Sequence, residues 1–122
     1  MMRIQRRLAV SLFTVMMVLS SCSFNPTAQK GYNRIKEDIK SSMRDPSSYK
    51  GEKVECYWDK QSYGYAYQYK IVFSGNNAFG SRVSGTAYYG YSDGHDEVKD
   101  YGYDSSHFDA ASKRGEKQSV VA

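Results

Sequence analysis

The chain is poor in the residues that cross-link, kink or mark a known reactive site. Its 122 residues include two cysteines, two prolines, one tryptophan and two histidines. Two cysteines exclude a multi-bridge disulfide framework, so a domain of this size must hold together by packing. The prolines stand only at Pro26 and Pro46 and act as punctuation between segments. No block of like charge is present, which argues against a polyanion-binding protein. The longest apolar run, Leu8 to Leu19, is interrupted by Ser11 and Thr14 and falls short of the ~20 residues a membrane-spanning helix needs. No Gly-x-Ser-x-Gly elbow, His-Glu-x-x-His pair, EF-hand spacing or Gly-rich phosphate loop with its Lys is present either.

What the chain does have begins at its first residues. Arg3, Arg6 and Arg7 precede the apolar run, and the small residues Ser20 and Ser21 follow it, which is the layout of an export signal. The quartet Leu19-Ser20-Ser21-Cys22 resembles the lipobox of bacterial lipoproteins. That resemblance implies removal of residues 1–21, acylation of the Cys22 thiol, and a mature chain whose first residue is Cys22. It also implies membrane attachment through that lipid, made durable by more than one acyl chain. The expected address is the cell envelope, and Ser23 is compatible with outer-membrane sorting if the source is Gram-negative. Three of the 17 basic residues would leave with the leader, so 14 remain against 13 acids. A pI near 9.0 therefore overstates the basicity of the mature surface, and no nucleic-acid partner is expected. With Cys22 acylated, Cys56 has no intramolecular partner. Val54 and Trp58 share its strand face, which reads as a buried, inert thiol.

After a short tether, 22–26, the pattern becomes helical. Asn25 can cap the orphan amides and Pro26 fits a first helical position. Ala28, Tyr32, Ile35, Ile39 and Met43 then recur at spacings of four, three, four and four, one apolar stripe on a helix expected over about 27–44. Gly31 weakens its first turn, and Asp45-Pro46 ends it. Val54 to Trp58 reads as a strand. Tyr63, Tyr65, Tyr67, Tyr69, Ile71 and Phe73 alternate with smaller or polar residues over 63–74, a second and longer strand. A Gly- and Asn-rich loop leads to a return strand, Arg82 to Tyr91, and Glu97 to Tyr103 is a weaker last strand. Ser105 to Ala111 could form one helical turn, and 112–122 reads as a flexible polar tail.

Together these segments predict an α+β domain over 27–111, an N-terminal amphipathic helix packed on a three- to four-stranded antiparallel meander. The second sheet face is left to solvent or a partner. Asp45-Pro46-Ser47-Ser48 at the helix end and Asn77-Ala78-Phe79-Gly80 in the strand loop resemble a widespread group of small bacterial exported domains. Their shared marks are Asp-Pro-x-Ser and Asn-x-Phe-Gly. The resemblance spans about Ile35 to Tyr91, departs from the pattern at Ser81-Arg82, and supplies a fold without an activity, cofactor or catalytic residue.

Chemistry has two candidate locations. Twelve tyrosines exceed what one helix can cover, and Tyr63, Tyr65, Tyr88 and Tyr89 lie near strand ends where exposed rings would suit a cell-wall glycan or an envelope protein. This predicts a non-catalytic binding or scaffolding domain without a cofactor. The other location is the acidic turn Asp93, His95, Asp96, Glu97 and Asp100 with His107 and Asp109 beyond it. There a small hydrolase or metal-dependent enzyme would use His95, Asp96 and His107, although a solvated turn explains the same residues.

Overall fold

The structure is a computed structural model that describes residues 25–62 and 64–122; the quartet Leu19-Ser20-Ser21-Cys22, and Tyr63, lie outside them. Helix α1 (Pro26–Ser42) starts where the sequence places it, because the Asn25 carboxamide oxygen accepts the N–H groups of Thr27 and Ala28 at 2.9 and 3.2 Å. It buries Ala28, Gly31, Tyr32, Ile35 and Ile39 and leaves Asn33, Arg34, Glu37 and Asp38 exposed. Met43 sits just beyond the last turn in extended conformation, and a 3₁₀ turn, Pro46–Ser48, turns the chain into the sheet. No helix among the described residues is long and apolar enough to cross a membrane.

Four strands form a meander: β1 (Lys50–Trp58), β2 (Tyr67–Asn76), β3 (Arg82–Ser92) and β4 (Glu97–Gly102). Helix α2 (Ser106–Arg114) and a short β5 (Glu116–Gln118) complete an antiparallel sheet of order β4-β3-β2-β1-β5. Tyr69 of β2 stands between Cys56 of β1 and Tyr89 of β3, and Tyr67 pairs with Tyr91. These residues and Ile71 meet the α1 stripe in the core. Each large side chain so buried contributes roughly 1.5–3 kcal/mol, and four core phenols also reach a hydrogen-bond partner. Tyr69 donates to the Ala28 carbonyl, Tyr89 to Asp38 and Tyr91 to Asp96, each at 2.7 Å, while Tyr32 shares a 2.7 Å bond with Tyr49. The rings thus peg α1 and its flanking turns to the sheet.

The first short motif meets the strand residues that flank the second. Ser48 of the 3₁₀ turn accepts the Asn76 N–H at 2.8 Å, and Arg82 donates to Ser74 Oγ at 2.7 Å and to the Ser48 carbonyl at 3.2 Å. Asn77 Oδ1 accepts the N–H groups of Phe79 and Ser81, and Gly80 supplies a left-handed φ of 79°. A defined hairpin tip results, with Phe79 at its outside.

Three expectations need correction. The strand predicted over 63–74 begins only at Tyr67, because Gly64 adopts φ 69° and the Asp59 N–H bonds the Ala66 carbonyl at 2.7 Å. The bend breaks the period-two alternation, so Tyr65 does not share the face of Tyr67. The single helical turn near Ser105 is a nine-residue helix, α2, which places Phe108 on the second sheet face. Residues 112–122, read as a polar tail, continue α2 to Arg114 and add β5 beside Cys56, Tyr57 and Trp58. The Gln29 carboxamide binds the Val121 backbone twice, its Nε2 donating to the carbonyl at 3.1 Å and its Oε1 accepting the N–H at 2.8 Å.

Candidate functional site

Beneath α2 the second sheet face collects aromatic and polar side chains. Phe108 packs edge-on against Tyr57 with ring centres 5.6 Å apart, and against Tyr88 at 6.0 Å. The His107 ring lies parallel to that of Tyr101 at 4.1 Å. Tyr65 comes to the same face because Gly90 leaves room. A Cβ on Gly90 would stand 2.9 Å from Tyr65 Cβ and 3.1 Å from Tyr101 Cε2. Tyr65, Tyr88 and Tyr101 are each partly exposed, and His107 is exposed.

Gln68 is fully buried among them and fixes their frame. Its Nε2 donates to the Tyr65 carbonyl at 2.7 Å and to Ser62 Oγ at 3.2 Å, while its buried Oε1 has no partner among the described residues. Beside it a cleft of about 190 Å³ is lined by Gln61, Ser62, Ser106, His107, Ala110 and Arg114. Arg114 is held by Asp59, whose Oδ2 accepts its Nε–H at 2.7 Å, and Asp59 is itself almost wholly buried. Asp104, next to His107, has its carboxyl held below the usual range chiefly by hydrogen bonds from Ser106. The surface thus presents flat rings, an imidazole, hydroxyls, an amide and a guanidinium.

Of the four tyrosines predicted for a ligand, Tyr65 and Tyr88 share this face. Tyr89 does not. It is 3% exposed, faces α1, and burial foremost pushes its phenol far above the ordinary value. Tyr63 lies outside the described residues. Tyr101 and His107 are the members sequence reading missed as a ligand surface: the alternation of Lys99, Tyr101 and Tyr103 with Val98, Asp100 and Gly102 does not say which side of the sheet they take, and the stacking partner of Tyr101 arrives from a helix.

The alternative constellation is not brought together. Asp96 accepts the Tyr91 hydroxyl and pairs with Arg34 of α1 at 3.5 Å, on the α1 side of the sheet, whereas His107 rides on α2 on the opposite side. The Tyr91 hydrogen bond foremost, then Arg34, holds the Asp96 carboxyl low. His95 is exposed on the turn. Among the described residues no three His, Cys, Asp or Glu side chains converge as metal ligands. Cys56 is fully buried and its thiol is pushed up to about 12 by burial, which keeps it protonated and unreactive.

No protein-family model, curated protein or solved structure matches this chain.

Proposed function

We propose that the chain is a lipid-anchored protein of the cell envelope, held through Cys22 and sorted to the outer membrane where its source has one, and that its domain is a non-catalytic binding module. The observation that carries the binding reading is that Tyr65, Tyr88, Tyr101 and His107 share one sheet face, where His107 also lines a cleft edged by Ser62, Gln61 and Arg114. Ring faces take the C–H surface of a sugar, and the polar edge takes its hydroxyls. A cell-wall glycan is the favoured ligand, and an envelope protein is the other occupant these rings suit. Cys22 lies three residues before the helix cap, a reach of at most ~11 Å. The start of α1 would then stay close to the bilayer.

Intact-mass analysis of the native product tests the anchor: an unmodified Cys22 thiol, or a retained leader, sinks it. Titration with soluble cell-wall glycan fragments, followed by tyrosine fluorescence, tests the surface. A saturable change is expected, weakened about tenfold, or ~1.4 kcal/mol, by Tyr101→Ala with an unchanged circular dichroism spectrum. No saturable response to glycan fragments or to solubilised envelope proteins would discard the binding reading.

A further inference from the structure

The sheet has an open edge that differs from its others. β4 pairs with β3 only from Tyr88 to Ser92, because Gly102 turns the chain away with φ 61° and its N–H bonds Asp100 Oδ1. Among the described residues, Arg82 to Ala87 of β3 therefore has a strand neighbour on one side only, β2. Among the described residues no turn or loop backbone hydrogen bond involves residues 83–87. Sheet edges invite pairing and are ordinarily protected by charge, proline or bulges. The free part of β1 carries Lys50, Glu52, Lys53 and Glu55 with a bulge between Gly51 and Lys53, and β4 carries Glu97, Lys99 and Asp100. The open part of β3 reads Val83-Ser84-Gly85-Thr86-Ala87, with no such guard. Arg82, at its start, turns its guanidinium onto Ser74 and Ser48 of its own chain.

Apolar surface accompanies this edge. Three of the large exposed apolar or aromatic side chains lie around it: Phe79 at 92%, Tyr103 at 94% and Val83 at 50% exposure. Two hollows, of about 310 and 290 Å³, adjoin there and share Phe73 and Gly85 in their walls. Met43 and Val83 line the first, and Ile39, Ala87 and Tyr103 line the second.

We infer that this edge is a self-association surface, in which two copies of the chain pair antiparallel along β3 around a two-fold axis at Ser84. A two-fold perpendicular to the sheet keeps both α1 helices on the same side, so facing residues must share a sheet face and therefore an odd or even number. Centring on Ser84 sets Val83 against Gly85 and Arg82 against Thr86, and ends the pairing just short of β4. It also carries the hairpin tip of each copy, with Phe79, to the end of the other's β4, where Tyr103 and the second hollow lie. One surface thus holds both the projecting ring and the hollow, the self-complementarity a two-fold contact requires. An aromatic side chain buries ~150–250 Å², so two Phe79 and two Tyr103, with Val83 and the strand edges, reach the ~1,000 Å² a specific interface needs. The contact is independent of the lipid and of the α2-side rings.

Directly opposed residues in an antiparallel pair have Cα atoms about 4.5–5.5 Å apart, within the span a disulfide bridges. Ser84→Cys in the full chain, held in detergent micelles under a mild oxidant, should give a covalent dimer, while Lys53→Cys on the guarded edge should stay at monomer mass. Without oxidant, the unaltered chain should show a dimer mass that dissociates on dilution, and Val83→Lys should raise the dissociation constant at least tenfold with an unchanged circular dichroism spectrum. Cross-linking of Ser84→Cys no faster than that of Lys53→Cys would overturn the inference. So would a monomer mass at all concentrations, or a bridge from residue 84 to a different protein.

Discussion

Gly31 weakens a helix at first sight, since glycine there costs ~0.5–1 kcal/mol relative to alanine. In the structure its missing side chain is what lets α1 lie on the tyrosine layer. A Cβ would collide with the Tyr69 hydroxyl and stand 2.6 Å from Tyr91 Cδ2, both fully buried. Gly31→Ala should therefore destabilise the fold by ~1–3 kcal/mol through overpacking, against the direction helix propensity gives. Gly94→Ala, where a Cβ meets nothing within 4 Å, should leave the urea midpoint nearly unchanged. Equal midpoints for the two variants would show that the helix can move off the rings at little cost. The sequence exposes Gly31 as an anomaly in an apolar stripe, but the reason lies 38 residues away in β2 and cannot be read locally.

At the scale of elements, what was legible in the sequence is what periodicity and caps determine alone. Helix α1 was readable because Ala28, Tyr32, Ile35 and Ile39 keep a helical repeat between a capping Asn25 and the Asp45-Pro46 stop, and β2 and β3 were readable from alternation. Tyr65 was misplaced because one left-handed residue, Gly64, resets the alternation, and period-two counting has no term for a bend. α2 and β5 were missed for a different reason. Nine residues with only Phe108 and Ala111 buried form no stripe, and β5 exists only because β1 offers Cys56 to Trp58 as a template. Both are held by contacts distant in sequence. Phe108 is then the single large anchor of α2, wedged between Tyr57 and Tyr88. Phe108→Ala should cost ~3–5 kcal/mol, the usual range for such a truncation. Hydrogen exchange should quicken first in 106–118, with α1 still protected. Uniform loss of protection across both helices would mean that α2 is no separable layer.

For the whole molecule, the tyrosine layer makes stability depend on alkaline pH. Burial foremost raises the phenols of Tyr32, Tyr49, Tyr69, Tyr89 and Tyr91, and for Tyr89 and Tyr91 a hydrogen bond to a carboxylate adds to it. For each, the folded value lies above the unfolded one of about 10. The sign follows from linkage: their contribution is complete below pH ~10 and is lost as pH rises from there, because the unfolded chain releases the protons first. Five such groups acting together should give a steep alkaline arm to the melting temperature, with little change between about pH 6 and 9 on their account. Phenolate absorbance belonging to this set should rise only as the circular dichroism of the fold disappears. Tyr69→Phe removes one titrating group together with its bond to the Ala28 carbonyl. It should lower stability at neutral pH by ~0.5–1.5 kcal/mol and make the alkaline arm shallower. If all twelve tyrosines ionised with the fold intact, the rings would have to be reachable by solvent, and the tyrosine layer could not be the joint between α1 and the sheet.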